Sequence, residues 1–233
     1  YYSTLTDGRF DVTLGRLSDL WDFSGENENK LPPPDAQIKK LLQSSGYENI
    51  TVNNNDVTLN GDDIAIDLGG IAKGYIADRM KEYLIAQGVD CAIINLGGNV
   101  LCIGSKPGKD YFTIGIQKPF SDDGTPYVSV DVSDKTVVTS GTYQRYFIYE
   151  NKIYHHILDP DTGYPCDNGL SSVTIITDSS VDGDALSTSV FLLGLDEGMD
   201  LIESIPDTEA IFIDEDEKIY FSSGMGDIIP YKK

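Results

Sequence analysis

The sequence is poor in the residues that most often build metal clusters and disulfide frameworks. It has three cysteines and two histidines among 233 residues. Cys91, Cys102 and Cys166 form no C-x-x-C element, which disfavours zinc and dithiol redox motifs. Cys91 and Cys102 lie in apolar runs, so we expect both in the core, and the three cysteines allow one disulfide.

Basic residues and long apolar runs are also scarce. Lysine and arginine total 17 against 38 acidic residues, which gives a formal net charge of −21. Nucleic-acid binders and proteins that dock on anionic lipid usually have the opposite balance. No apolar run approaches the roughly 18 residues of a spanning helix. We expect most of the carboxylates to form a solvated acidic surface.

The remaining pattern interleaves helices and strands. Helical spacing of apolar residues predicts a helix that includes Leu14, Leu17 and Trp21. Alternating runs such as "YFTIGIQK" and "YVSVDVS" predict strands, Asn60-Gly61 indicates a hairpin turn, and residues 26–37 are expected to form a loop. Without strict βαβ alternation, this order predicts an α+β fold: mixed, mainly antiparallel sheets with flanking helices in a single compact unit.

The stretch "DLGGIAKGYIAD" at 67–78 joins a strand-like run to a helix predicted to end near Gly88. It matches neither the P-loop nor the dinucleotide-binding fingerprint. Its glycines would still let a ligand approach the backbone, and a helix start with Lys73 beside it favours an anion. A strand-to-helix turn that needs glycine for tight packing explains the same residues, and both interpretations stay open.

The stretch "DGDALSTSVFLLG" predicts a second helix of interest. Asp184 and Thr188 are four residues apart, so on a helix they share a face. A carboxylate and a hydroxyl suit a hard cation such as Mg²⁺, and Ser187 lies beside them. The alternative is that Asp184 or Asp182 is the helix N-cap and Thr188 an ordinary helical residue.

Both histidines of the chain fall in "YHHILDPDTGYP". If they lie on a strand, His155 and His156 face opposite ways, so one is buried or points into a site and the other points away. A histidine near Asp159 could act as a general base. The alternative is a packed strand histidine beside a structural turn.

In "VVTSGTYQRYF", Thr139, Ser140 and Gly141 suit a ligand contact, but a tight hairpin is the favoured interpretation.

Taken together, these stretches resemble the ApbE family of FAD:protein FMN transferases. The resemblance runs from about Thr6 to Gly194 and includes "DGRFDVTLGRLSDLWDF", "INLGGNV" and "SSVTIITDSS" besides the stretches above. It implies an ApbE-like, T-fold-related architecture. Residues 1–233 are then expected to form one ApbE-like domain that lacks the family's N-terminal segment.

The resemblance also implies a reaction. With a divalent metal, Mg²⁺ first of all, the family cleaves the pyrophosphate of FAD, joins FMN through a phosphoester to a threonine of a target protein and releases AMP. Targets carry a D-G-x-[ST]-[GS]-A-T type motif. Members are usually exported bacterial proteins, often membrane-anchored lipoproteins. Two alternatives are an FAD pyrophosphatase that yields FMN and AMP, and a non-catalytic flavin-binding protein. Two fragments of the target motif, in 122–127 and 139–144, are incomplete, so we predict no flavinylation of this chain itself.

Roles of individual residues follow from the same resemblance. The metal ligands are expected to be the backbone carbonyl of Ala72 and the side chains of Asp184 and Thr188. His156 is the expected catalytic base, with Asp159 as the alternative, and Asp184 is the second catalytic residue. The residues expected to contact the flavin nucleotide are Phe10, Asp11, Gly69, Lys73 and Ile157.

Overall fold

The computed structural model describes residues 1–23, 30–61, 63–121 and 125–232. Parts of the predicted loop at 26–37 and of the stretch at 122–127 lie outside these described residues. The α-helices of the described chain are α1 Tyr2–Leu5, α2 Gly15–Trp21, α3 Asp35–Leu42, α4 Ala72–Ala86, α5 Ser180–Leu193 and α6 Leu195–Glu203.

The described strands lie in four separate sheets. They are β1 Ile50–Asn53, β2 Asp56–Leu59, β3 Ala92–Asn95, β4 Asn99–Ile103, β5 Phe112–Gln117, β6 Pro126–Val132, β7 Thr136–Gly141, β8 Tyr146–Tyr149, β9 Lys152–His155, β10 Leu170–Thr177, β11 Glu209–Asp214, β12 Ile219–Phe221 and β13 Tyr231–Lys232. Neighbouring named strands pair antiparallel. The predicted α+β class with mainly antiparallel sheets is therefore confirmed.

Contacts between residues divide the chain into two units, each made of two segments. The first unit comprises Tyr1–Leu68 and Thr142–Asn168, and the second comprises Gly69–Gly141 and Gly169–Lys233.

The first unit is built around Trp21. The predicted apolar spacing holds, because Leu17 and Trp21 of α2 are buried and pack with Leu14, Ile38, Phe147 and Leu158. The indole nitrogen of Trp21 donates a hydrogen bond to the carbonyl of Gly163 at 2.9 Å. The one polar atom of this buried ring thus has a partner, as a buried indole requires.

The predicted position of the hairpin turn in this unit is wrong by six residues. Strands β1 and β2 pair with Ile50 opposite Leu59, so the turn falls at Asn54-Asn55 rather than at Asn60-Gly61. Asn54 takes the left-handed conformation, with φ of 55°, which asparagine tolerates better than most residues. Asn60 instead closes the open end of the hairpin, where its N–H donates to the carbonyl of Asn49 at 2.8 Å.

The second unit is centred on strand β10, which is buried along its whole length. It lies inside a six-stranded sheet of order β12-β11-β10-β7-β4-β3. Side chains such as Val137, Ile176 and Ile211 pack with Ile114 and Val130 of the three-stranded sheet β13-β6-β5. Helix α5 lies against the six-stranded sheet at Gly183, where an added Cβ would be 3.0 Å from Val138.

The cysteine expectation is met in part. All three cysteines are free, so the disulfide that the sequence allows is not formed. Cys102 is buried in the second unit's core, and burial raises the pKa of its thiol to about 11. Cys91 is half-buried and packs against the same core. Within the described ranges, no helix combines the length and apolar character needed to cross a bilayer.

Helices α4 and α5 of the second unit meet at Gly74. A Cβ added there would lie 2.1 Å from the carbonyl oxygen of Ser180, and 2.7 Å from the Cα of Val181. Those atoms belong to backbone, so a side-chain rotation cannot relieve the clash. Gly74 is therefore required by the close approach of two helices.

We predict that Gly74→Ala destabilises the protein by about 2 kcal/mol or more, because the methyl group forces α4 and α5 apart. Urea unfolding followed by circular dichroism measures the change. Ile76→Ala, on the same helix but with an exposed side chain, is the control and should change stability by less than about 0.5 kcal/mol. Equal stability of Gly74→Ala and the unchanged chain would contradict the packing role.

Candidate functional site

The start of α4 is capped by a residue of another helix. Ile71 occupies the N-cap position of α4 and has no side chain that could accept a hydrogen bond. The N–H of Gly74 instead donates to Oδ2 of Asp184 at 2.8 Å. Asp184 lies one turn inside α5 and is 3% exposed. This carboxylate thus takes the place of the missing capping side chain.

The alternative role of Asp184 or Asp182 as N-cap of α5 is therefore wrong. That cap is Ser179, whose hydroxyl accepts a hydrogen bond from the N–H of Asp182 at 3.3 Å. Because α5 begins at Ser180, Asp184 is an interior helical residue and its side chain is available for a different contact.

A second carboxylate, Asp78 of α4, makes the reciprocal contact with the start of α5. Oδ1 of Asp78 accepts from the N–H of Ser180 at 3.0 Å, and Oδ2 accepts from the N–H of Val181 at 2.9 Å. Each helix therefore supplies a carboxylate to the other's first turn. Sequence reasoning missed Asp78, although its position four residues after Gly74 places both on one face of α4.

Lys73 lies beside the buried carboxylate. Its Nζ is 3.7 Å from Oδ1 of Asp184 and 3.4 Å from the carbonyl oxygen of Gly69. The lysine side chain is 41% exposed. The helix start and the ammonium group together make this end of α4 attractive to an anion. The predicted residues Gly69, Lys73 and Asp184 are thus neighbours, whereas nucleotide contact by Gly69 and Lys73 stays a prediction.

Hydroxyl groups surround the next turn of α5. The hydroxyl of Ser140 lies 2.8 Å from that of Ser187 and 3.2 Å from that of Thr188. Ser187 also donates to the backbone carbonyl of Asp184 at 2.9 Å. Asp184 and Thr188 both belong to α5, at the four-residue spacing that puts them on one face.

The hairpin interpretation of Thr139–Gly141 is wrong. These residues continue β7, which pairs with β10 through Gly141, and Arg145 precedes β8 of a different sheet. In this pairing "VVTSG" of β7 lies opposite "SSVTIIT" of β10. The hydroxyls of Thr139 and Thr174 form a hydrogen bond of 2.8 Å across the two strands. Ser140 therefore faces α5 from a rigid strand.

The oxygen donors of this region fit a hard cation. The side chains of Asp184 and Thr188, with nearby hydroxyls of Ser140 and Ser187, are the donor type that Mg²⁺ prefers. Among the described residues, no group of three or more histidine, cysteine or acidic side chains could hold a metal. A cation here would therefore also need backbone, water or substrate oxygens. Ala72, the predicted carbonyl ligand, is the first residue of α4.

In the first unit, the two histidines have different environments. His155, at the end of β9, is 5% exposed. Its Nδ1 accepts from the N–H of Ile157 at 3.3 Å, so Nε2 carries the proton and donates to the carbonyl of Cys166 at 2.9 Å. Burial lowers the pKa of His155 despite that hydrogen bond and the nearby charge of Asp167. The ring is thus a neutral structural link.

His156 follows the last residue of β9 and is half-buried, so the two histidines differ in environment although only His155 lies on the strand. The backbone N–H of His156 donates to the carbonyl of Arg145 at 3.1 Å, and its Nδ1 lies 3.3 Å from the same oxygen. If Nδ1 carries the proton and donates it there, Nε2 is the basic nitrogen of the neutral ring. This is the protonation pattern that a general base needs.

Asp159, the alternative base, organises the turn that follows. Its Oδ1 accepts from the N–H of Asp161 at 2.8 Å and from Arg9 at 3.3 Å. Arg9 also pairs with Asp161 at 2.7 Å. Asp159 thus shapes this turn together with Arg9, and the choice of base between His156 and Asp159 stays a prediction.

The remaining predicted residues have local structural contacts. Phe10 and Ile157 are buried. Oδ1 of Asp11 accepts from both the N–H and the hydroxyl of Thr13, at 2.8 and 2.7 Å, which stabilises the bend before α2. Contact of Phe10, Asp11 and Ile157 with a nucleotide stays a prediction.

Comparison with known proteins gives one consistent result. Residues 1–212 match the model of the ApbE family. An FAD:protein FMN transferase of Klebsiella pneumoniae strain 342 is 40% identical over 95% of this chain and 68% of its own length. One of Treponema pallidum strain Nichols is 33% identical over 97% of this chain and 66% of its own length. The chain thus spans about two thirds of these relatives.

Solved structures that resemble this chain belong to the same family as its sequence relatives. The ApbE protein of Thermotoga maritima has a TM-score of 0.86 at 36% identity, covering 95% of this chain and 72% of that one. The flavin transferase ApbE of Vibrio cholerae has a TM-score of 0.82 at 30% identity, covering 95% and 71%.

The environment of His155 predicts a pH dependence of stability. In the unfolded chain its pKa is the ordinary 6.5, and in the folded protein it is lower. The unfolded state therefore binds the proton more readily, so this contribution to stability is full above pH 6.5 and is lost as the pH falls below it. We predict that His155→Gln flattens this part of the curve of unfolding free energy against pH. Parallel curves for the variant and the unchanged chain would contradict a neutral, buried His155.

Proposed function

This chain belongs to the ApbE family, and from that premise we propose that it transfers the FMN part of FAD to a threonine hydroxyl of a target protein and releases AMP. The observation that carries the proposal is the group of Lys73, Asp184, Thr188 and Ser140 at the meeting of α4 and α5. It offers a cation and oxygen ligands beside a helix start, the chemistry that a pyrophosphate substrate requires.

The side chains of Asp184 and Thr188 and the carbonyl of Ala72 are proposed to hold Mg²⁺. A magnesium ion bound there would neutralise charge on the pyrophosphate and make its phosphorus easier to attack. Lys73, with an exposed ammonium group, is placed to bind a phosphate oxygen of FAD. Together with the N-terminal dipole of α4, it supplies positive charge where negative charge develops.

His156 is proposed to accept the proton of the target threonine. The threonine oxygen then forms a bond to the phosphorus of the FMN half, while the bond from that phosphorus to the bridging oxygen breaks and AMP leaves. With Nδ1 directed at the carbonyl of Arg145, Nε2 is the nitrogen that takes this proton.

The partner and location belong to the same proposal. The target is a protein with a D-G-x-[ST]-[GS]-A-T type motif, and the protein works outside the cytoplasm as a membrane-anchored lipoprotein. Both statements are supported by the family resemblance.

The transfer experiment mixes the chain with FAD, Mg²⁺ and a target domain that carries the threonine motif. A fluorescent target band on a denaturing gel, with an equal amount of AMP, is the expected result. AMP and FMN without a labelled band would replace transfer by FAD hydrolysis. Bound FAD with neither product would indicate a non-catalytic flavin-binding protein.

We predict that Asp184→Asn lowers transfer by more than about 100-fold, because losing a metal ligand removes several kcal/mol of transition-state stabilisation. Chelation of the metal with EDTA should abolish transfer, and added Mg²⁺ should restore it. Asp182→Asn, one half-turn earlier on α5, is the matched control and should stay within a few-fold of the unchanged chain. Full activity of Asp184→Asn would refute the metal assignment.

We predict that His156→Gln lowers transfer by about 100-fold or more, because the nucleophile loses its base. Binding of FAD and of Mn²⁺, measured by calorimetry, should stay near the unchanged values, since the ring is not a proposed metal ligand. Asp159→Asn serves for comparison. A larger loss of transfer in Asp159→Asn, with the fold and FAD affinity intact, would move the role of base to Asp159.

A further inference from the structure

Asp78 has no role in the proposed chemistry, yet its carboxylate is fully engaged at the start of α5. Its two oxygens accept from the N–H groups of Ser180 and Val181, and Oδ2 also lies 3.5 Å from the hydroxyl of Ser179. The first-turn N–H groups of Asp182 and Gly183 bind Ser179 itself. Asp78 is thus the acceptor that another helix supplies to the first two residues of α5.

The two carboxylate contacts span one turn of each helix. Gly74 and Asp78 are one turn apart on α4, and Ser180 and Asp184 are one turn apart on α5. Gly74 binds Asp184, and Asp78 binds Ser180, so the helices are joined at both ends of the same turn. Between these hydrogen bonds the helices touch, because Gly74 has no Cβ to hold the carbonyl of Ser180 away.

Ser180 is also anchored from the sheet. Its hydroxyl donates to Oδ1 of Asn99 at 2.8 Å and lies 3.2 Å from the hydroxyl of Thr136. The sheet therefore holds the side chain of Ser180, and Asp78 holds its backbone. Asp184 follows one turn later on the same rigid helix, so its position relative to α4 depends on how that first turn is held.

From these contacts we propose that Asp78 is a positioning residue for the cation that Asp184 binds. It does not contact the cation; it fixes the first turn of α5 and so the direction of the Asp184 carboxylate. Its loss leaves two N–H groups without their acceptor and lets α5 shift along α4. The inference rests on the proposed metal-binding role of Asp184.

The direct test is the affinity for Mn²⁺, measured by electron paramagnetic resonance or calorimetry on the whole chain without FAD. We expect Asp78→Ala to raise the Kd for Mn²⁺ by about tenfold, the lower end of what loss of an outer partner of a metal ligand costs. Asp78→Asn keeps one acceptor oxygen and should fall between. If Asp78→Ala does not fold, Asp78→Asn still tests the proposal. The affinity of each variant is measured well below its unfolding temperature.

A second measurement separates positioning from general damage. The Mg²⁺ concentration that gives half-maximal transfer should rise in both Asp78 variants, while the rate at saturating Mg²⁺ recovers towards that of the unchanged chain. Glu82→Gln is the charge-matched control, because Glu82 pairs with Arg79 on the exposed part of α4. It removes the same charge from the same helix and should leave the Kd for Mn²⁺ unchanged.

The outcomes distinguish the two levels of the proposal. If Asp78→Ala and Asp78→Asn lower the unfolding temperature but bind Mn²⁺ as the unchanged chain does, Asp78 is a structural residue only and the inference is overturned. If the unchanged chain binds no Mn²⁺, or Asp184→Asn binds it equally well, the proposed metal site itself fails and the positioning role fails with it.

Discussion

The contact between α4 and α5 determines how the side chains of the candidate site in the second unit are arranged. Two helices begin there, and each would leave backbone N–H groups without acceptors in a region partly closed to water. The chain satisfies these groups by exchanging carboxylates, Asp184 for α4 and Asp78 for α5. Because Gly74 lets the backbones touch, the three carboxylate hydrogen bonds have lengths of 2.8 to 3.0 Å. A change at any of these three positions therefore affects the other two.

The same contact explains how a charged group is tolerated inside the protein. A buried carboxylate loses its hydration, and this loss has to be offset by hydrogen bonds or opposite charge. For Asp184 the offset comes from the N–H of Gly74, the dipole at the start of α4 and the ammonium of Lys73 at 3.7 Å. A chain with a net charge of −21 thus places one of its few cations beside an internal acid.

The local part of this arrangement could be predicted from the sequence. Four-residue spacing places Asp184 and Thr188 on one helical face. This inference needs only the periodicity of one helix. The apolar spacing around Leu17 and Trp21 identified α2 for the same reason.

The parts that depend on distant residues could not be predicted. Asp78 finds its partners about a hundred positions later in the chain, and no local pattern distinguishes it from a surface acid on α4. The local sequence predicts a hairpin at Ser140, because the true partner strand, β10, begins only at Leu170. The local sequence does not locate the turn of the first hairpin, because two asparagine-containing turns suit it equally well and the β1–β2 register decides between them.

The two exchanged carboxylates differ in how many of their oxygens are engaged by helix N–H groups. Both oxygens of Asp78 accept backbone hydrogen bonds at 3.0 Å or less, so a metal would have to break one of them. Only Oδ2 of Asp184 accepts a hydrogen bond from the N–H of Gly74. Its Oδ1 lies 3.7 Å from Nζ of Lys73, which is longer than a hydrogen bond. A cation can approach that oxygen without loss of a helix cap. This asymmetry supports the proposed division of roles, in which Asp78 holds the helix start and Asp184 binds the cation, although each carboxylate serves the first turn of the other helix.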